Sequence, residues 1–207
     1  MLLTGLFPTS ICHHQLHRGG RSLLNRRLGD ECRALRLADA AGRRWSREHY
    51  AGGYTSYGTH SRLHLVSSLF GDLERAIRPH VRHFIVSLAY DMRGRRLEMT
   101  DCWANIMGPQ TVHSGHLHPL SFISGTYYVA VPPGAAPLKF EDPRLAQFMA
   151  APPRRRKAPA AQRPFFAVAP QAGDIVLFES WLRHEVPAGH AKGERISISF
   201  NYAWREI

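Results

Sequence analysis

His116, Leu117 and His118 set two imidazoles two residues apart, and a third histidine, His184, follows beyond several strand-like segments. Side chains alternate faces along an extended strand, so His116 and His118 project to one side with backbones roughly 7 Å apart. Two imidazoles so placed can grip one transition-metal ion if His184 arrives from a neighbouring strand as the third ligand. Eleven residues after His184 stands Arg195, in the run Arg195-Ile196-Ser197. A planar guanidinium binds a carboxylate through two parallel hydrogen bonds, so Arg195 offers an anchor for an organic acid beside the metal. Together these residues point to a mononuclear iron site. The chain holds 13 histidines, so position has to discriminate among them. Those from His13 to His83 fall in a helix-rich half and are assigned to surface or packing. His113 and His190 share the strand-rich half with the three candidates.

The elements that must position these groups change character along the chain. Residues 23–37 and 63–88 carry apolar side chains at helical spacing, the second stretch with a break expected at Pro79, where proline clashes with the preceding turn. Residues 52–58 read as a turn-rich aromatic connection. Strands are expected at 96–106, 126–131, 165–169, 174–179 and 195–204, divided by glycine and proline turns. Short strands so divided suggest an antiparallel sandwich or barrel rather than a doubly wound parallel sheet. The expected class is an all-β core, a double-stranded β-helix or jelly roll, with a helix-rich N-terminal portion, α+β overall. Residues 1–90 form that portion, residues 91–207 the core, and the two make one structural domain. In the final strand Ile196, Ile198, Phe200, Tyr202 and Trp204 alternate with Arg195, Ser197, Ser199 and Asn201, which predicts one apolar face and one polar pocket wall. Residues 150–164, rich in Pro, Ala and Arg, read as a flexible basic loop between strands.

Composition narrows the class. The chain has 207 residues, 44% apolar and 21% charged, as a globular domain with a real core requires. Its net charge of +11 is spread over several arginine-bearing stretches without a nucleic-acid motif, so it reads as solvated surface, and no nucleic-acid partner is expected. No apolar run reaches the roughly 18 residues that a bilayer requires, so no membrane is expected. The opening residues lack a basic leader and are interrupted by Pro8. Cys12, Cys32 and Cys102 are odd in number and scattered, which fits a reducing compartment and a cytoplasmic protein.

The ordered stretches Trp103-Ala104-Asn105, His116-Leu117-His118-Pro119, Ser124-Gly125-Thr126-Tyr127-Tyr128-Val129 and Phe140-Glu141-Asp142-Pro143-Arg144 resemble the 2-oxoglutarate- and Fe(II)-dependent oxygenases. So do Gly173-Asp174-Ile175-Val176-Leu177-Phe178, Trp181-Leu182-Arg183-His184 and the strand from Arg195 to Asn201. Near the start, Phe7-Pro8-Thr9 and Gly53-Tyr54-Thr55-Ser56-Tyr57 are similar to a bacterial and phage group of that family, so the resemblance spans most of the chain. It implies a jelly-roll barrel with a metal in its mouth. It implies Fe(II) on His116, His118 and His184, with 2-oxoglutarate as co-substrate. The arginine that pairs with the remote carboxylate of 2-oxoglutarate would be Arg195, with Ser197, Tyr128 and Asn105 beside it. The implied activity is hydroxylation of an unidentified small molecule, peptide or protein with release of succinate and CO2. Trp103, Tyr127, Phe178 and Trp181 are candidate walls of the barrel.

One position departs from the family. The usual iron site has two histidines and a carboxylate, and here the second position is His118. Either the three histidines form the site, or His118 stands behind it and Asp142 or Glu179 completes the set. Two other readings stay open. One is a three-histidine iron dioxygenase of the cupin type that needs no 2-oxoglutarate, with Arg195 holding a substrate carboxylate. The other is a noncatalytic jelly-roll module that binds a metal structurally or an anionic polymer through its basic loop; a structural zinc site would need a fourth ligand, for which His113 and His190 are the candidates. Oligomeric state is open.

Overall fold

The computed structural model describes residue 2, residues 4–17 and residues 22–207. Met1 and Leu3 of the opening stretch lie outside the described residues. In chain order the first elements are β1 (Ile11–Gln15), α1 (Leu23–Ala38), α2 (Ala40–His49), β2 (Gly53–Thr55), α3 (Leu63–Val66) and α4 (Ser68–Ser87). They are followed by β3 (Arg95–Met107), β4 (His113–His116), β5 (Ile123–Ala130), β6 (Leu138–Glu141), β7 (Phe165–Val168), β8 (Asp174–Glu179), β9 (His184–Val186) and β10 (Arg195–Glu206).

The strands pair antiparallel in two sheets. One has the order β1-β8-β5-β10-β3-β2 and the other β4-β9-β6-β7. Strand alternation sorts side chains into two apolar clusters. Ile106, Tyr127, Ile175, Leu177, Ile196, Ile198 and Phe200 join Leu28, Phe70, Leu73, Ile77 and Val81, so this cluster lies between the larger sheet and helices α1 and α4. Met107, Tyr128, Val176 and Phe178 from the larger sheet meet Leu138, Phe140, Val168 and Val186 from the smaller one. The interior between the sheets is therefore built from the opposite faces of the same strands. This is the jelly-roll core expected, α+β overall. Strands β1 and β2, both drawn from the first 90 residues, add to opposite edges of the larger sheet.

The helices differ from expectation in two places. The break in 63–88 falls at Ser67, not Pro79. Ser67 is extended, and its side chain accepts from the Phe70 N–H to cap α4. Pro79 sits inside α4. The apolar stripe of Phe70, Leu73, Ile77, Val81, Phe84 and Ile85 continues through it, so burial on both sides outweighs the lost hydrogen bond. Helix α2 was not expected, because it buries only Gly42 and Ser46 and has no apolar stripe to betray it. Asp39 fixes its start, accepting from the Gly42 N–H at 2.8 Å, the Tyr54 hydroxyl at 2.9 Å and the Thr59 hydroxyl at 2.6 Å. Residues 150–164 lie between β6 and β7, with one 3-10 turn at Ala160–Gln162.

Gly125 in the middle of β5 shows how tightly the sheet packs on its helix side. A Cβ there would lie 2.6 Å from the Phe200 ring and 2.8 Å from Leu177, both fully buried. Gly125→Ala is therefore expected to cost about 1–3 kcal/mol of stability through overpacking. A lowered urea midpoint at unchanged slope is the measurement that checks it.

Candidate metal centre

The three histidines converge, though not all by strand alternation. His116 ends β4 and pairs in register with His184, which opens β9. His118 lies beyond the strand, so the shared-strand premise fails there. Its backbone N–H donates to the Ser180 carbonyl at 3.0 Å instead of to a ladder partner. That turn still brings the ring back. One ligand atom from each of His116, His118 and His184 lies within 4.8 Å of the others. The ring centroids stand 4.4 to 5.2 Å apart.

Hydrogen bonding decides which nitrogen each ring offers. The Nδ1 of His116 contacts the Ser114 carbonyl at 2.8 Å, and that of His184 contacts the Leu182 carbonyl at 2.9 Å. The Nδ1 of His118 contacts Asn201 Oδ1 at 2.6 Å and Ser124 Oγ at 2.9 Å. A carbonyl oxygen can only accept, so Nδ1 carries the proton in each ring and Nε2 keeps its lone pair. Holding Nδ1–H against a fixed acceptor is how metal-binding imidazoles are oriented. Burial keeps these rings neutral. It pushes His184 down to about 3 and His118 to about 4, the nearby histidines adding to the effect, and it lowers His116 as well. His113, pushed down to about 3, stacks on His116 at 4.1 Å but is outside the group of three. His190 is exposed and lies near Gln110. Asp142 is engaged by Arg144 at 2.8 and 3.0 Å, and Glu179 accepts from the Tyr90 hydroxyl. Neither carboxylate is in the group, so the described donor set is three imidazoles.

Behind the histidines the space narrows to an inner pocket of about 30 Å3, lined by Asn105, His184, Arg195 and Ser197 among others. Arg195 is 5% exposed. Its Nη1 reaches Met107 Sδ at 3.3 Å and Ser197 Oγ at 3.4 Å, and it makes no ion pair among the described residues. The Tyr128 ring lies beneath the guanidinium, with Cζ 5.0 Å from its centroid, so its face supports the cation. Burial raises the Tyr128 hydroxyl, against the pull of Arg195. Arg195 Nε, Asn105 Oδ1 and the hydroxyls of Tyr128 and Tyr50 are buried without a hydrogen-bond partner among the described residues. A buried cation ringed by unsatisfied polar atoms fits the carboxylate end of an organic acid.

Some expected walls are elsewhere. Trp103 lines the inner pocket, and Phe178 packs on His184 at 4.5 Å. Tyr127 points to the helix side, donating its hydroxyl to Asn25 Oδ1 at 2.7 Å, and Trp181 is half exposed. Tyr50 was missed. It follows an unexpected helix, and its ring fits only because Gly53 has no side chain: a Cβ there would lie 2.6 Å from Tyr50 Cε1. Ser124 and Asn201 were legible as motif residues but not as the partners of His118.

The depressed histidines set a pH dependence. The unfolded chain takes up protons below about pH 6.5, while the folded metal-free chain refuses them at His113, His118 and His184 until the pH nears their lowered values. Stability must therefore fall as pH falls through that window, by up to about 1.4 kcal/mol per pH unit for each such group. Urea midpoints of the metal-free protein at pH 7, 6 and 5 are expected to decline. His184→Gln should make the decline shallower by about one proton's worth.

Residues 101–201 match the family model described as "Putative 2OG-Fe(II) oxygenase". No curated protein sequence matches the chain. Among solved structures, the epimerase SnoN in complex with Fe3+, alpha ketoglutarate and nogalamycin RO is similar over 96% of this chain and 81% of its own. Its TM-score is 0.61 at 16% identity. HygX from Streptomyces hygroscopicus, with nickel and 2-oxoglutarate bound, overlaps over 94% of this chain and 83% of its own, with TM-score 0.60 at 12% identity. A prolyl-4-hydroxylase from Pseudomonas putida overlaps over 94% and 92%, with TM-score 0.53 at 16% identity. At these identities the structures speak for the fold alone. The matched segment contains His116, His118, His184 and Arg195, and over residues 101–201 the chain is similar to the 2OG-Fe(II) oxygenases.

Proposed function

We propose that this chain is a 2-oxoglutarate-dependent Fe(II) dioxygenase, with His116, His118 and His184 as the metal ligands. Arg195, with Ser197, Tyr128 and Asn105, holds the remote carboxylate of 2-oxoglutarate. The observation that carries the reading is Arg195: a buried guanidinium without an ion pair among the described residues, in a pocket also lined by the three histidines. Bound there, Fe(II) and 2-oxoglutarate would supply the oxidative chemistry, with succinate and CO2 as by-products of substrate hydroxylation. The chain's own part is placement. Arg195 aligns the acid through paired hydrogen bonds, with Tyr128 supporting the guanidinium and Ser197 steering its Nη1. The carbonyls of Ser114 and Leu182 and the amide of Asn201 hold the imidazoles in one tautomer. Phe178 and Phe140, packed beside His184, keep water from that side.

Residues 1–90 and 91–207 work as one unit in this reading, since Tyr50 from the first closes the pocket of the second. Among the described residues no helix is long and apolar enough to cross a membrane. Cys12, Cys32 and Cys102 are all free, which supports a reducing, cytoplasmic setting.

Anaerobic titration with Fe(II) and 2-oxoglutarate tests the assignment. A weak visible charge-transfer band is expected in wild type. Arg195→Ala should weaken 2-oxoglutarate binding about 100-fold, the loss that follows from removing a buried charged partner. Iron binding without a band at any 2-oxoglutarate concentration would overturn the proposal in favour of a three-histidine dioxygenase that takes no 2-oxoglutarate.

A further inference from the structure

The mouth of the site differs in charge from the rest of the chain. Lysine and arginine number 27 against 16 aspartate and glutamate. Yet among the described residues the outer cavity, about 290 Å3, is lined by no lysine or arginine and by one carboxylate, Asp101. His116 and His118 form its floor, so whatever occupies it stands beside the metal centre. Its walls are aromatic. The Trp45 ring stacks on His49 at 4.6 Å, and Tyr57 meets Trp103 edge-on at 4.9 Å. Trp103 in turn stands 5.8 Å from the His118 ring.

Asp101 and Trp103 sit two residues apart on β3 and so project to the same side. The Asp101 carboxylate accepts from the Thr100 hydroxyl at 2.8 Å and the Asn201 side-chain amide at 3.4 Å, both on Oδ2. Among the described residues it has no ion pair. A carboxylate without a cation, set among aromatic faces, favours a positive ligand twice over: by direct pairing and by the negative faces of the rings. The same arrangement repels anions. A cavity at the small end of ligand-site volumes limits the occupant to a compact molecule rather than a polymer.

We infer that the mouth takes a small molecule bearing a protonated amine, with the ammonium on Asp101 and its carbon skeleton against Trp103 and Tyr57. The inference rests on the reading of the three histidines as the metal centre, because that reading makes the mouth a substrate site. It gives Asp101 a second consequence. Asn201 bridges it to His118, accepting at 2.6 Å from Nδ1 while its amide faces Asp101, so the substrate's charge is two hydrogen bonds from a metal ligand.

Tryptophan fluorescence titration of the Co(II)-loaded protein with benzylamine, benzyl alcohol and benzoate tests the inference. Benzylamine is expected to bind at least about tenfold more tightly than benzyl alcohol, with benzoate weakest. Asp101→Asn should abolish the preference for the amine and leave the alcohol unchanged. Tyr57→Ala, at a half-exposed ring the fold does not require, should weaken amine and alcohol alike. Equal binding of amine and alcohol, tighter binding of benzoate, no binding of any probe, or an Asp101→Asn effect within twofold would each overturn it. The Co(II) absorption bands of the same samples separate the two readings. Bands that persist without amine preference sink this inference alone; amine preference without Co(II) binding sinks the metal assignment.

Discussion

Strand β10 is the constraint on which the site depends. It lies between β3 and β5, hydrogen-bonded to both, so its side chains can leave only through the two faces of the sheet. Ile196, Ile198, Phe200 and Tyr202 anchor one face to the helices, which commits Arg195, Ser197, Ser199 and Asn201 to the space between the sheets. A slip of one residue would bury the arginine among helices and take its guanidinium out of the pocket. The apolar face thus fixes the polar one. The cost of sinking Arg195 between the sheets is carried by the burial of four large apolar side chains on the other side.

Charge runs one way through the interior. Three neutral imidazoles add nothing to offset a divalent ion, and Arg195 adds a further positive charge nearby. Such a site is electrostatically incomplete until an acid arrives, which makes a dicarboxylate a better occupant than a neutral ligand. At the outer end Asp101 reverses the sign. The outer cavity thus carries a carboxylate, the inner pocket a guanidinium, and His116 and His118 line both. Asn201 ties the carboxylate to the histidines by touching both Asp101 and His118.

Much of this was legible in the sequence, and the failures have physical causes. The strand at Asp174–Glu179 was readable to the residue because a four-residue apolar run, Ile175 to Phe178, between two acidic residues and a preceding glycine turn has few alternatives. Strand β10 was readable because its alternation is strict over Arg195 to Tyr202. The four-residue and three-residue strands β4, β6, β9 and β2 were not, since such segments carry too few residues to show a period. Two of them hold His116 and His184 of the three-histidine group, so residue type pointed to the group while its geometry was hidden. His118 reaches the site through a turn closed by Ser180, an interaction between residues 62 positions apart that no local pattern encodes. Pro79 misled for the opposite reason: a strong local rule was overridden by a buried stripe on both sides of it. Tyr50 had no local signal at all. Its role follows from the packing of a polar helix and from the bare backbone at Gly53.

The order of pairing also bears on how the molecule assembles. Residues 11–15 pair with 174–178, and residues 95–107 with 195–206, so the larger sheet is stitched from partners far apart in sequence. Closure of such long loops precedes the contacts that reward it, which predicts slow folding for a chain of this size. All three histidines are synthesised before β10. Yet His118 has no Asn201 to orient it, and the pocket no arginine, until that strand inserts between β3 and β5. During synthesis, closure of the inner pocket and completion of the core are the same late event, so a nascent chain lacking its final strand would expose these histidines without Arg195 or Asn201 beside them.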